Sequence, residues 1–513
     1  MNKKASLAKN TTFLYIRMFV ILLVSLFTTR IVLKNLGIED YGIYNVVGSI
    51  VSLFTFFQTA MSSANYRYFA YDLGQSNQES LNTSFKTASV IAIIIVILTV
   101  FFGETLGSYY IWNVLNVPED RLYASFWTFQ ISLLSCCVST LYMPYYSDVI
   151  AHEKMSFFAY LSIVEALLKI GVAFLISISP IDHLVFYAAL ILICNVIVLI
   201  SYIIYGRLQF QECIHVFKVK LSYPLLKEMG SFSGWTLFVT IADVFVMQGI
   251  NMMINSFFTP VVNAARGIAV QIQGAVDQFR GNLQTAFNPQ ITKQYASKSF
   301  ESMYSLIYAS AKYSTYVMLF LSIPLIYTID YVLSLWLVEV PQYTAVFLKL
   351  ILLSCIIDGI SNPFVTAIGA TGKIKRFQSV VGIIKLLILP ICWIALSLGC
   401  NPVQLFVFYL GGTILVVLVR IYISSTAIKL PLIRVFKFIL YPIVKVSLLS
   451  ILLDSLLYYF VANTLLSFII FCIESAICMV VVIYVFGLET RERNYIKTFI
   501  KRKICNDSEN INI

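Results

Sequence analysis

Charge is what this sequence has least of. Asp, Glu, Lys and Arg make up 12% of its 513 residues, and there are only three His. A soluble domain carries about 25% charged residues. With 59% of its residues apolar, a chain of this size cannot cover a water-facing surface. An ordinary water-soluble enzyme is excluded, and so are disordered and fibrous classes. The ten cysteines offer no CxxC pair and no Cys/His cluster at metal-ligand spacing, so neither a disulfide framework nor a metal site is expected. Most of them, Cys136, Cys137, Cys194, Cys355, Cys392, Cys472 and Cys478, sit in apolar runs, where a thiol behaves as a small hydrophobe. A nucleotide loop is missing too. Gly369-Ala370-Thr371-Gly372-Lys373 has two residues between its glycines and Ile374 after its Lys, whereas a phosphate loop needs four and a Ser or Thr. No Rossmann fingerprint occurs, and no cofactor is expected beyond a coupling ion.

What fills the sequence is apolar runs. A helix needs about 20 such residues to cross the hydrocarbon core. That ruler predicts about fourteen spans, near 12–34, 41–66, 86–111, 122–146, 156–179, 184–206, 229–256, 260–288, 304–329, 343–367, 377–399, 402–424, 436–460 and 463–487. The first is read as a retained span, because no small-residue cleavage site follows it. Loop cations alternate consistently. Lys3, Lys4, Lys9, Arg67, Lys86, Lys154, Arg207, Lys227, Lys293, Lys373, Arg420, Lys429 and the basic tail fall on one side; Lys34 and Arg121 fall on the other, among acids such as Asp40, Glu119 and Asp182. By the positive-inside rule both termini are cytoplasmic. The net charge of +11 therefore reflects topology, and no nucleic-acid or nucleotide partner is expected.

Two halves echo each other. Pro144, Ala151 and Lys154 match Pro363, Ala370 and Lys373 at a constant offset of 219 residues (363 − 144). Each unit holds six spans, an even number, so the copies enter the membrane in the same sense and are related by an axis along its normal. The expected fold class is an all-α polytopic membrane protein with two pseudo-symmetric six-helix lobes around a central cleft, plus two C-terminal helices. The expected division is 1–206 for the N-lobe, 207–228 for a cytoplasmic linker, 229–424 for the C-lobe, 425–488 for the two added helices and 489–513 for a tail.

Charges inside the spans carry the functional argument, because each costs at least about 2.5–3.5 kcal/mol at mid-bilayer. The eighth span is the most informative. Asn263, Arg266, Gln273, Asp277, Arg280, Gln284 and Asn288 hold one face along its whole length. Such a stripe reads as the wall of a wet cavity, or else as a polar face satisfied by neighbouring helices. Arg30, Arg266, Arg280, Lys169, Lys312 and Lys385 are the candidate cations of that cleft, with Tyr41, Tyr44, Gln58, Asn263, Gln273, Asp277 and Gln284 as its polar lining. Arg17, Lys349 and Lys445 lie near span ends and are expected to snorkel. Guanidinium groups grip phosphate bidentately, so a positive wet cleft implies an anionic substrate. Tyrosines such as Tyr44 and Tyr66 suit either sugar rings or the membrane interface. With no ATP motif, uphill transport needs an ion. Asp243 and Asp358 are candidates to bind Na⁺ or a proton; for Asp243 the alternative is a helix-packing hydrogen bond, and for Asp277 a salt bridge to Arg280 or Arg266.

The stretch Arg30–Tyr44 (RIVLKNLGIEDYGIY) and its second-half echo Thr259–Ala269 (TPVVNAARGIA) resemble the opening signature of polysaccharide flippases. These belong to the multidrug/oligosaccharidyl-lipid/polysaccharide exporter (MOP) superfamily, which also holds the lipid II flippases and the MATE drug exporters. The resemblance covers the whole chain. It implies movement of an undecaprenyl-pyrophosphate-linked oligosaccharide (an O-antigen, capsule or exopolysaccharide unit) across a bacterial inner membrane by alternating access. Arg30, Arg266 and Arg280 then match the cations that engage pyrophosphate, and Asp243 matches an acid serving a cation site in some relatives. Expected partners are the lipid-linked oligosaccharide, membrane lipids and polysaccharide polymerase machinery. A MATE-like drug/cation antiporter would want a cleft rich in acids and aromatics. A membrane polymerase, ligase or glycosyltransferase would want a large outer loop, which the chain lacks, so no enzymatic activity is expected.

Overall fold

The structure, a computed structural model, describes residues 3–52, 54–113, 119–179, 182–214, 219–258, 260–336, 340–459, 464–490 and 492–494. Among the described residues there is no strand. The helices are α1 (Lys3–Ser52), α2 (Thr55–Gly74), α3 (Gln78–Phe102), α4 (Ser108–Asn113), α5 (Leu122–Ala151), α6 (Met155–Leu175), α7 (His183–Gln209), α8 (Gln211–Ile214), α9 (Tyr223–Phe257), α10 (Pro260–Ala296), α11 (Phe300–Trp336), α12 (Thr344–Ala370), α13 (Lys375–Ser397), α14 (Pro402–Ala427), α15 (Leu432–Val435), α16 (Tyr441–Tyr458) and α17 (Leu465–Val482). Only helices and closed barrels satisfy every backbone N–H and C=O without water, and the Leu/Ile/Val runs leave helix as the local solution. Among the described residues, 11 helices are long and apolar enough to cross a membrane, and Thr12–Ser25 is a shorter apolar stretch of α1. The expected first, second and eighth spans fall on α1, α2 and α10, outside those 11. Polar residues dilute α2 and α10.

Helix ends follow local chemistry. Asn401 and Gln404 form a capping box ahead of α14, with Pro402 in its first turn. Asp182 accepts from the N–H groups of Leu184 and Val185 at the start of α7. The predicted break near residue 35 is not a helix end: α1 runs unbroken for 50 residues to Ser52. Its packing nevertheless changes along its length. Val32 and Leu36 join a core with Val172, Ala173 and Ile176, while Ile43 and Val47 join one with Ile111, Phe129 and Leu133. The internal repeat has a structural counterpart. Pro144 and Pro363 lie inside α5 and α12, each seven residues before the last helical residue. Glu153 and Gly372, again 219 apart (372 − 153), both take positive φ, 60° and 75°.

The chain divides into two compact units. The first comprises residues 1–248, 281–306 and 365–387. One core of this unit gathers Met61, Phe69, Phe85, Ile150, Met155, Tyr202 and Phe232. Its basic end, which carries Arg67, Lys154, Lys293 and Lys373, is tightly knit. Arg67 donates through Nε to the Gly369 carbonyl at 3.1 Å and through Nη2 to the Ala370 carbonyl at 3.3 Å. Glu153 takes Lys293 at 3.0 Å and the Gln290 amide at 3.0 Å. At the opposite end Arg121 clamps Asp40 and Asp182. The second unit comprises 249–280, 307–364 and 388–513. Within it Phe347 packs on Phe406 with ring centres 4.2 Å apart, and Tyr316 donates to the Gly487 carbonyl.

Candidate functional site

Helix α10 carries the informative surface. Among its described residues the exposed positions Gly267, Gln271, Gly274, Ala275, Gln278 and Gly281 share one face. Apart from Glu474, the exposed positions of α17 are Leu465, Leu466, Ile469, Ile470, Ile473, Ile477, Val480 and Val481, which suit lipid. A membrane-length helix whose described exposed positions are glycine, alanine and glutamine suits water. The polar stripe that the sequence predicts borders this face, on its own helix.

In the second unit that stripe meets carboxylates. Arg280 pairs with Asp277 at 3.0 Å and with Asp358 of α12 at 2.7 Å. Arg420 of α14 takes the other Asp358 oxygen at 2.7 Å and also donates to Ser361 at 3.1 Å. Two Arg and two Asp make a neutral cluster, with the Asp277 and Asp358 side chains each 28% exposed. Of the alternatives that the sequence left for Asp277, the salt bridge to Arg280 is present. Arg266, farther along α10 and 7% exposed, donates to the neutral amide oxygen of Asn251 at 2.5 Å. Gln273 and Gln284 are half-buried, and Gln284 keeps an amide nitrogen buried without a hydrogen-bond partner.

Other predicted site residues are placed differently. Lys312 does not border any such face: it is 1% exposed and reaches Glu489 at 3.4 Å and Glu492 at 3.1 Å, which fastens the segment after α17. A buried ammonium needs carboxylates more than it needs a cleft. Lys169 pairs with Glu165 one turn away on α6. Gln58 is spent on α5, donating to Ser139 at 2.8 Å and Thr140 at 3.0 Å. Tyr44 packs edge-on against Tyr187. Lys385 of α13 pairs with Asp243 of α9, whose side chain is 51% exposed. The two coupling candidates, Asp243 and Asp358, are thus both held by cations. The side chains of Arg30, Tyr41 and Asn263 lie outside the described residues. Arg420, assigned from sequence to a basic loop, is instead a buried helix residue, 8% exposed; only its distance of seven residues from the end of α14 could have signalled this. Arg67, assigned likewise to the basic loops, is 8% exposed and capped by carbonyls.

The first unit holds two small cavities, mostly apolar in lining but each with several polar groups. One of about 90 Å³ is lined by Tyr66, Arg67, Thr236, Thr292, Thr366 and Gln378. The other, about 80 Å³, is lined by Ser62, Tyr66, Tyr146, Ser147, Thr285 and Asn288. Each has room and polar partners for ordered water, and Tyr66 borders both.

This many-helix architecture has solved counterparts. A MATE crystallised in complex with MaD3S superposes with a TM-score of 0.72 at 11% identity, over 84% of this chain and 97% of its own. The fold is that of the MATE transporters. An outward-facing multidrug resistance MATE transporter of the MOP superfamily gives 0.70 at 12% identity, over 84% of this chain and 96% of its own. A MOP superfamily transporter from Pyrococcus furiosus, described by a reversed polarity of its binding pocket that suggests a different function, gives 0.68 at 11% identity, over 82% and 96%. No protein-family model matches the chain, and no curated protein matches it in sequence. The chain is thus a multi-pass membrane protein of a transporter fold.

Proposed function

We propose that this protein flips an undecaprenyl-pyrophosphate-linked oligosaccharide, such as an O-antigen, capsule or exopolysaccharide unit, across a bacterial inner membrane by alternating access. The supporting observation is the small, polar exposed face of α10, bordered by Arg266 and Arg280. Arg266 is a contact for pyrophosphate: it donates to the neutral amide oxygen of Asn251, and a phosphate oxygen offers a guanidinium a stronger, charge-assisted bond than an amide does. Arg280 keeps its place through Asp277 and Asp358. The Pyrococcus furiosus protein supports the idea that one fold carries pockets of different polarity. Arg30, polymerase partners and the cytoplasmic placement of both termini belong to this proposal, as does the division into two six-helix lobes.

The second reading is a drug/cation antiporter. It is favoured by Asp243, half in solvent and held by Lys385, which a proton or Na⁺ would free. Reconstitution separates the two. In proteoliposomes loaded with undecaprenyl-pyrophosphate-linked oligosaccharide, the wild-type protein exposes the sugar to an external lectin, and Arg266→Gln slows this by about tenfold or more, the equivalent of one charge-assisted hydrogen bond. In cells, loss of the protein accumulates lipid-linked units on the inner leaflet. Absence of that accumulation together with drug hypersensitivity establishes the antiporter instead.

A further inference from the structure

One group of side chains plays no part in the proposed transport. Asp148 and His152 stand four residues apart at the end of α5, on one face. Glu212 comes from the short helix α8. His152 Nε2 lies 2.7 Å from Glu212 Oε1 and 3.6 Å from Asp148 Oδ1, and one donor atom from each of the three falls within 4.8 Å of the others. The carboxylates are deeply buried, Asp148 at 0% and Glu212 at 2% exposure. Asp148 Oδ1, aimed into the group, has no hydrogen-bond partner.

We propose that Asp148, His152 and Glu212 form a binding site for a divalent transition metal, with Zn²⁺ the best fit. One imidazole nitrogen and two carboxylate oxygens suit Zn²⁺ over Mg²⁺ or Ca²⁺, which take oxygen alone. Bonds of about 2.0–2.2 Å place tetrahedral ligand atoms roughly 3.3 Å apart, and the observed 2.7 and 3.6 Å bracket that spacing. The orienting contacts of a metal site are also present. Gln78 donates to the second Glu212 oxygen at 2.9 Å, the Cys213 thiol faces the second Asp148 oxygen at 3.5 Å, and the His152 ring stacks on Phe210 with centres 4.1 Å apart. His152 is 22% exposed on its side chain, which gives the ion an entry path and leaves the fourth position to water. Charge argues the same way. Two buried carboxylates face one imidazole, and Lys293, whose field reaches Asp148, is bonded to Glu153. A dication at the centre neutralises both acids. Glu212 lies 60 residues beyond His152 (212 − 152), which is why spacing alone does not reveal the group.

The test uses the full-length protein in detergent, purified without a polyhistidine tag, stripped with chelator and then exposed to ZnCl₂ or CoCl₂. Wild type is expected to retain one Zn²⁺ per chain through desalting, to melt higher with Zn²⁺ than without it, and to give the intense visible absorption of four-coordinate Co²⁺. His152→Gln and Asp148→Asn each lose all three signals, while His183→Gln keeps them. The proposal is overturned if wild type retains no more Zn²⁺ than His152→Gln. It is equally overturned if Zn²⁺ leaves the wild-type melting temperature unchanged while Asp148→Asn melts at or above it, because the carboxyls then share a proton. Should either variant elute as aggregate, the Zn²⁺ content and Co²⁺ spectrum of wild type against His183→Gln still decide.

Discussion

Asp358 is the joint of the second unit's charged cluster, and Asp358→Asn is the sharpest perturbation of it. Each of its oxygens holds one guanidinium nitrogen at 2.7 Å, Arg280 on one side and Arg420 on the other. A charge-assisted hydrogen bond contributes about 1.5–3 kcal/mol, so the pair contributes about 3–6 kcal/mol. The substitution does not remove all of this. Arg280 retains Asp277, Arg420 retains Ser361, and the Asn carbonyl still accepts one bond. The 28% exposure of the Asp358 side chain lets water screen a further share. A net loss of about 3 kcal/mol remains, mostly the cost of leaving the buried Arg420 guanidinium without a counter-charge. In detergent, with unfolding followed by tryptophan fluorescence, this lowers the melting temperature by about 3 °C. The double variant Asp358→Asn with Arg420→Gln recovers part of the loss, because the stranded charge is gone; the coupling in the double-mutant cycle is about 1–3 kcal/mol. If Asp358→Asn melts within about 1 °C of wild type, or the two substitutions simply add, the cluster is not a stabilising network and the argument fails.

Further outcomes follow from other contacts. Asp243→Asn removes the acid that holds Lys385 and abolishes transport driven by an imposed Na⁺ or H⁺ gradient while leaving the melting temperature near wild type; undiminished driven transport removes Asp243 from coupling. Lys312→Met strands Glu492, also bonded by Tyr313 at 2.9 Å, and frees the segment after α17, at a cost of about 3 kcal/mol; limited proteolysis should cut after Gly487 faster than in wild type, and an unchanged digestion pattern counts against the lock. Gly372→Ala puts a Cβ at φ +75°, 2.6 Å from the Arg67 guanidinium, and destabilises by about 1–2 kcal/mol from backbone strain alone; a neutral result in thermal unfolding refutes that strain. Burial raises the Asp182 carboxyl, but Arg121 and the N–H groups at the start of α7 outweigh it and hold it below the usual carboxylate range. Its contribution is therefore present above its unfolded value of about 3.9 and is lost as pH falls through the lower folded value; Asp182→Asn should flatten the stability profile below about pH 4, and an identical acid limb in both proteins refutes the assignment.

Much was legible in residue order alone. The scarcity of charge determined the solvent, because apolar surface on this scale has no other home, and the length of each apolar run determined where helices lie, because a membrane leaves the backbone only its own hydrogen bonds. Pro144 and Pro363 announced the repeat that Glu153 and Gly372 carry into the backbone, and the stripe on α10 was visible at helical spacing. What residue order did not determine is who answers each buried charge. Lys312 and Arg280 read alike as cations of the cleft, yet one fastens the segment after α17 and the other bridges two acids; Arg420 read as a loop charge and is a partner of Asp358. Hydropathy and helix formation depend on neighbours a few residues away, whereas a Coulomb partner is chosen by proximity in space, and Asp148, His152 and Glu212 meet only because α5 and α8 fold together.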